Sequence, residues 1–139
     1  MASPVDALVD TSALVAILSR ESDAMEHLQA LARIPRWGIA APNRTEFLMV
    51  AGVRLGGDGA DGAAYARELL GRYQIQTLAV DEALADASAE AFRRYGKGRH
   101  PAGLNFGDCF AYALARQYDV PLLFKGGDFA LTDVARVVG

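Results

Sequence analysis

Hydrophobic residues in this chain form short continuous runs that alternate with longer stretches of helical spacing. The runs lie at residues 5–9, 37–41, 75–80, 120–124 and 135–138, and their length is typical of buried strands. Between them, apolar residues recur at intervals of three and four positions, which predicts amphipathic helices. Strands that alternate with helices indicate an α/β fold, in which helices cover both faces of a parallel sheet.

Capping and helix-breaking residues predict where the helices begin and end. The first helix follows the turn at residues 10–12, with Thr11 or Ser12 as its N-cap. The last long helix has Asn105 as its N-cap and follows a loop rich in glycine at residues 96–103. Two other helices are expected at residues 23–34 and 81–95. A further helix begins at residue 42, another ends at about residue 73, and residues 129–131 form at most one helical turn.

Length and composition narrow the class of protein. The 139 residues suit one domain, spanning residues 1–139, and the net charge of −3 argues weakly against a protein that coats nucleic acid through bulk charge. A local basic groove is still compatible with that charge. The only cysteine, Cys109, allows no intramolecular disulfide and is expected as a buried helix residue. With no signal peptide and no membrane-spanning run in the sequence, we expect a soluble cytoplasmic protein without membrane association.

Four acidic residues are predicted to meet at one edge of the sheet. Asp10 follows the first strand, Glu46 begins the helix after the second, and Asp128 lies in the turn after the fourth. Asp108 lies at the start of the helix that precedes that fourth strand, which places it at the same edge. Ligands of open parallel sheets bind there, and clustered carboxylates repel one another unless cations are present. Hard oxygen ligands suit Mg²⁺ or Mn²⁺.

Each of these acids also has a local structural explanation. Asp10 is placed to cap a helix, Glu46 and Asp108 to complete capping boxes, and Asp128 to serve in an ordinary turn. Taken together they favour a shared site, because caps have no reason to converge on one sheet edge. Asp133 is a fifth candidate, for which a turn or N-cap role is expected.

The residues around the acids resemble those of a known family. Distinctive stretches lie at residues 9–14 (Val-Asp-Thr-Ser-Ala-Leu), 104–110 (Leu-Asn-Phe-Gly-Asp-Cys-Phe) and 122–129 (Leu-Leu-Phe-Lys-Gly-Gly-Asp-Phe). With Glu46 in Arg-Thr-Glu-Phe-Leu and the loop at residues 95–100, they resemble PIN-domain ribonucleases, especially the VapC toxins of bacterial toxin–antitoxin pairs. The resemblance covers essentially the whole chain.

This resemblance implies a fold, an activity and partners. The fold is a PIN-like three-layer sandwich, with a central parallel sheet of about five short strands. The activity is that of an endoribonuclease dependent on Mg²⁺ or Mn²⁺, with Asp10, Glu46, Asp108 and Asp128 as catalytic metal ligands, directly or through water. One or two metal ions are both compatible with these residues. The implied partners are an RNA substrate, a second copy in a homodimer, and a cognate antitoxin that covers the active site.

Several polar residues are expected to support such a site. Thr11 and Ser12 are candidates to hydrogen-bond a carboxylate or phosphate, although helix capping explains at least one of them equally well. Asn105 is a candidate to orient Asp108 or to touch substrate, with capping as its expected role. Basic residues near the acids would hold RNA phosphates, with a solvated loop as the alternative. These residues are Lys97, Arg99, His100 and Lys125.

Two other functions compete with this interpretation. A phospho-accepting receiver domain also has acids at the carboxyl edge of a parallel sheet, but it needs adjacent acids after the first strand. Asp10 has no acidic neighbour, and Asp81, near the third strand, is more typical of a helix cap. A catalytically inactive RNA-binding module with the same fold is the second alternative, and the presence of all four acids argues against it.

Overall fold

A parallel sheet of short strands forms the centre of the protein, whose computed structural model describes residues 2–137. The strands in this part of the chain are β1 (Ala7–Val9), β2 (Trp37–Ala40), β3 (Gln76–Leu78) and β4 (Leu122–Leu123). All pair in parallel, in the spatial order β3-β2-β1-β4. Leu8 of β1 lies opposite Gly38 on one side and Leu122 on the other.

Helices connect the strands and cover both faces of the sheet. The α-helices of the described residues are α1 (Thr11–Leu18), α2 (Ala24–Arg33), α3 (Ala41–Leu55), α4 (Ala60–Arg72), α5 (Glu82–Tyr95) and α6 (Phe106–Tyr118). A short 3₁₀ turn follows at Phe129–Leu131. The first four helices lie on one face of the sheet, and α5 and α6 lie on the other. None of the helices between residues 2 and 137 is long and apolar enough to cross a bilayer.

The alternation of side chains along the strands divides the core into two layers. Leu8 packs under α5 and α6, whereas its neighbours Ala7 and Val9 pack under α1 to α4. Each large apolar side chain buried in these layers contributes about 1.5–3 kcal/mol relative to an exposed one. The indole of Trp37 is buried and donates from Nε1 to the carbonyl of Leu31 at 3.1 Å, which attaches the end of α2 to the sheet. The predicted α/β sandwich is confirmed.

The strand order excludes one of the alternatives. Receiver domains have the order 2-1-3-4-5, in which the first strand lies between the second and the third. Here β1 lies between β2 and β4, and β3 is at the edge beyond β2. The acids at the carboxyl edge of this sheet therefore do not form a receiver site.

The sheet has fewer and shorter strands than the sequence predicts, because apolar residues at its edges are buried without pairing as strands. A fifth strand is predicted at residues 135–138, but Arg136 makes only an isolated parallel bridge with Leu122, and residue 138 lies outside the described residues. Hydrogen-bonded turns continue from the 3₁₀ turn to Val134, whose backbone N–H donates to Thr132 Oγ1 at 3.3 Å, so few residues are left to pair. Val120 is partly buried at the end of α6 and lies outside β4.

Candidate active site

Asp10 joins the first strand to the first helix. It is the N-cap of α1, and its Oδ2 accepts a hydrogen bond from the backbone N–H of Ser12 at 3.0 Å. The prediction that Thr11 or Ser12 caps this helix is therefore wrong, because the helix begins directly at the end of β1. Asp10 is only 2% exposed, and its Oδ1 has no partner. Burial raises the pKa of Asp10, and the charge of Glu46 raises it further.

Glu46 comes from the helix that follows β2 without an intervening residue. Because α3 begins at Ala41, Asn43 lies within its first turn and Glu46 in its second, so the capping box considered for Glu46 does not form. The Glu46 carboxylate lies against the first turn of α6. A Cβ atom added to Gly107 would be 2.9 Å from Glu46 Oε1, so this close approach requires a glycine.

Asp108 lies in the first turn of α6, where it takes part in a reciprocal capping box. Asn105 Oδ1 accepts from the Asp108 backbone N–H at 2.9 Å, and Asp108 Oδ2 accepts from the Asn105 backbone N–H at 3.0 Å. The capping role predicted for Asn105 is confirmed. Because α6 runs back along the sheet before β4, its N-terminus lies at the carboxyl edge of the strands.

The electrostatics of Asp108 link it to the other three acids. Its pKa rises from the usual 3.8 to about 7, mainly because of burial, and the charges of Asp10, Glu46 and Asp128 add to the rise. The hydrogen bond from Asn105 opposes this change. Asp10, Glu46 and Asp128 therefore each lie near enough to Asp108 to disfavour its charged form.

Asp128 is exposed and lies in the loop after β4, at the start of the 3₁₀ turn. Two contacts fasten this loop. Phe129 is buried with its ring centroid 5.1 Å from that of Phe124, and Ser12 Oγ accepts from the Lys125 backbone N–H at 3.0 Å. Ser12 therefore supports the loop that carries Asp128.

The four carboxylates have the donor chemistry of a metal site, but they are not gathered into one. Within residues 2–137, no three His, Cys, Asp or Glu side chains form a ready-made metal cluster. Asp10 and Asp108 each use one oxygen in capping, whereas the side chains of Glu46 and Asp128 make no hydrogen bond to any described residue. Since unneutralised carboxylates repel one another, this spread is expected without a cation. The unpaired Asp10 Oδ1 and the raised pKa values fit a hard divalent cation.

The basic residues predicted to bind phosphate lie in different environments. Lys125 Nζ pairs with Glu21 and Asp23, at 3.2 Å from the Asp23 carboxylate. His100 is also engaged, since its Nδ1 accepts from the Ala102 backbone N–H at 3.0 Å. Lys97 and Arg99 are exposed and have no acidic partner among the described residues. All four roles in RNA binding stay predictions.

Three residues of this region have contacts that the sequence did not predict. Asn43 and Gly107 hold α3 against α6, whereas the spacing of Asn43 and Glu46 suggested only a capping box, and the glycine is a residue of poor helix propensity in a first turn. Tyr112, one turn after Asp108, donates its hydroxyl to the carboxylate of Asp133. Asp133 lies in a bend and does not cap a helix, and its charge is not among those that raise the pKa of Asp108.

Comparison with known proteins identifies the family. The profile of the PIN domain family matches residues 7–135. The chain belongs to the PIN domain family. This PIN domain is 49% identical over 133 residues to a Mycolicibacterium smegmatis protein named Ribonuclease VapC, covering 94% of this chain and 98% of that protein.

Solved structures share the fold of this PIN domain. Mycobacterium tuberculosis VapC20, described as a sarcin-ricin loop cleaving toxin, has a TM-score of 0.76 at 19% identity, covering 94% of this chain and 98% of that one. A toxin–antitoxin complex from Klebsiella pneumoniae has a TM-score of 0.68 at 21% identity, covering 91% and 92% of the two chains. At these identities the comparison supports the fold alone.

The raised pKa of Asp108 predicts how stability depends on pH in the absence of metal. Between its usual pKa of 3.8 and the folded value of about 7, the folded chain binds more protons than the unfolded chain. The free energy of unfolding therefore decreases as the pH rises through this range. Asp108→Asn removes the charge and keeps an oxygen that can accept from Asn105. In EDTA at pH 8 this variant should melt at least about 4 °C above the parent protein, and the gap should narrow towards pH 4.

Thermal melts of Asp86→Asn provide the matched control. Asp86 is exposed on α5, so the same change of formal charge should leave no gap that depends on pH. A constant difference between Asp108→Asn and the parent protein at all pH values would contradict the assignment.

Proposed function

We propose that this PIN domain is an endoribonuclease dependent on Mg²⁺ or Mn²⁺, acting as the toxin of a toxin–antitoxin pair. The observation that carries the proposal is geometric: Asp10 and Asp108 lie at helix starts on one sheet edge, Glu46 lies against Gly107 beside Asp108, and the buried Asp10 Oδ1 has no partner. A cluster of carboxylates destabilises the fold through mutual repulsion, and a bound cation would neutralise that repulsion. The 49% identity to a protein named Ribonuclease VapC supports the same reaction.

The four acids have distinct roles in this proposal. Asp10 and Asp108 are fixed by their caps and would offer their remaining oxygens to the cation, and Glu46 and Asp128 would be its other ligands. When bound, the cation supplies a water activated for in-line attack on a phosphodiester and stabilises the leaving oxygen. Because ligands must be ionised, the proton on Asp108 has to leave, and metal affinity should increase between pH 6 and pH 8.

RNA would approach over the loop between α5 and α6. This loop carries Lys97 and Arg99, which are exposed and lead along the chain to the helix that bears Asp108. Cations of this kind contribute affinity for phosphates with little sequence information. These two cations would therefore account for affinity and not for any choice of RNA sequence.

A cognate antitoxin would bind in an apolar cleft beside the acids and thereby cover the site. A cleft of about 470 Å³ adjoins Glu46 and Gly107, and its walls include Met49 and Phe106. Met49 is 66% exposed and Phe106 is 75% exposed, which is typical of a surface with a protein partner. The Klebsiella pneumoniae chain with a similar fold belongs to a structure described as a toxin–antitoxin complex, and the proposal assigns the same class of partner to this chain. The homodimer rests on the family resemblance.

Cleavage of RNA should require a divalent cation and Asp108. The purified protein should cleave RNA in Mg²⁺ or Mn²⁺ and lose this activity in excess EDTA. Asp108→Asn should lower the cleavage rate by at least about 100-fold, because it removes a ligand charge. Asp86→Asn is the control with the same formal change and should cleave normally. Equal cleavage in EDTA would overturn the mechanism, and metal-independent RNA binding without cleavage would favour the inactive module.

Removal of Lys97 and Arg99 should change how RNA binding depends on salt. In the non-cleaving Asp108→Asn background, changing both to Ala should weaken binding and reduce the salt slope by about one for each lost phosphate contact. The control changes Arg67 and Arg72 of α4 to Ala, with the same loss of charge. Equal slopes for the two double variants would remove the loop from the substrate path.

Gly107→Ala should disturb the geometry of the site without lowering the stability of the fold. The new Cβ lies 2.9 Å from Glu46 Oε1, so the carboxylate must move, whereas Ala is itself a better helix former. We expect an unchanged or higher melting temperature and a loss of Mn²⁺ affinity and cleavage of about 10-fold.

Gly71→Ala is the matched control, because a Cβ at Gly71 of α4 meets no other atom within 4 Å. Calorimetric titration with Mn²⁺ measures the affinity. If both alanine variants bind Mn²⁺ as tightly as the parent protein, Glu46 is not held against Gly107 for metal binding.

A further inference from the structure

Asn43 forms a hydrogen-bonded bridge beneath the acids. It is 0% exposed and lies in the first turn of α3. Its side-chain Nδ2 donates to the backbone carbonyl of Gly107 at 3.0 Å, and its backbone carbonyl accepts from Thr11 Oγ1 at 3.2 Å. One residue thereby connects the N-terminal turns of α1, α3 and α6.

The positions reached by this bridge adjoin three of the acids. Thr11 follows Asp10, and Gly107 precedes Asp108, while Asn43 lies one helical turn before Glu46. The spacing of these turns determines the spacing of the carboxylates, because Asp10 and Asp108 are tied to their own helix ends by capping. Loss of the Asn43 side chain would therefore free the first turn of α6, which carries Asp108, from α3, which carries Glu46, while the bond from Thr11 to the backbone remains.

An unpaired oxygen indicates that Asn43 does more than fill space. Among the described residues, the buried side-chain nitrogen and oxygen atoms without a partner are Asp10 Oδ1 and Asn43 Oδ1. Leaving a buried acceptor unpaired is unfavourable, and an apolar side chain would avoid it. Both atoms belong to the same group of residues, where a hydrated cation would supply the missing donors.

We propose that Asn43 is a positioning residue for the acidic site, which holds α6 and Asp108 at the distance from Glu46 and Asp10 that cation binding requires. This inference rests on the proposed metal-dependent function. Asn43 acts through Gly107 and Thr11, and does not itself contact the scissile phosphate. Groups that orient metal ligands in this way commonly control metal affinity about 10–100-fold.

The experiment compares Asn43→Ala with a variant that loses a buried hydrogen bond elsewhere. Ser88 is buried in α5, and its hydroxyl donates to the Leu84 carbonyl at 2.8 Å, so Ser88→Ala is the control. Melting temperatures in EDTA should fall in both variants. Only Asn43→Ala should lower Mn²⁺ affinity in calorimetric titration, by about 10-fold or more, and lower kcat at limiting metal while KM for RNA changes less than about twofold.

A second variant keeps the test decisive if Asn43→Ala does not fold. Asn43→Thr keeps a side chain of similar volume but removes the amide that donates to the Gly107 carbonyl, and should weaken Mn²⁺ binding in the same direction. The inference is overturned if the variant that folds binds Mn²⁺ as the parent protein does. A parent protein that neither binds Mn²⁺ nor cleaves RNA would overturn the proposed function as well, so the two failures are distinguishable.

Discussion

Repulsion between carboxylates at one sheet edge is the constraint on which the rest of this structure depends. The strands are parallel, so helices that follow or precede them begin at the same edge and bring Asp10, Glu46 and Asp108 together. Burial, together with the smaller effect of the charges of Asp10, Glu46 and Asp128, raises the pKa of Asp108 to about 7, and the contribution of these charges shows the direction of this repulsion. Hydrophobic layers on both faces of the sheet hold the helix ends in place against it.

Helix capping and the candidate chemistry use the same acids. Asp10 and Asp108 each satisfy a backbone N–H at the start of a helix, where the helix dipole also favours negative charge. A carboxylate has two oxygens, and capping occupies only one. Capping therefore makes each ligand rigid and leaves an oxygen free, and the local explanation for these acids does not exclude the functional one.

Uncharged residues set the geometry of the charged ones. Gly107 lets the Glu46 carboxylate approach the first turn of α6, and Ser12 fastens the loop that carries Asp128. Asn43 connects the helix ends across the site. The proposed affinity for a cation would therefore depend on these neutral contacts as well as on the acids themselves.

The sequence by itself determined the α/β alternation, the capping box of Asn105 and Asp108, and the four acids that share one sheet edge, because each follows from chain order or from a pattern of a few residues. The tertiary structure decided the strand pairings and hydrogen bonds whose two residues lie far apart in the sequence. Arg136 pairs for only one residue, so the predicted fifth strand is reduced to a bridge. Asn43 becomes a bridge only when α6 packs against α3, since its hydrogen-bond acceptor, the Gly107 carbonyl, is 64 positions away. Periodicity and capping act within a few residues, whereas burial and contact between helices depend on how the whole chain is packed.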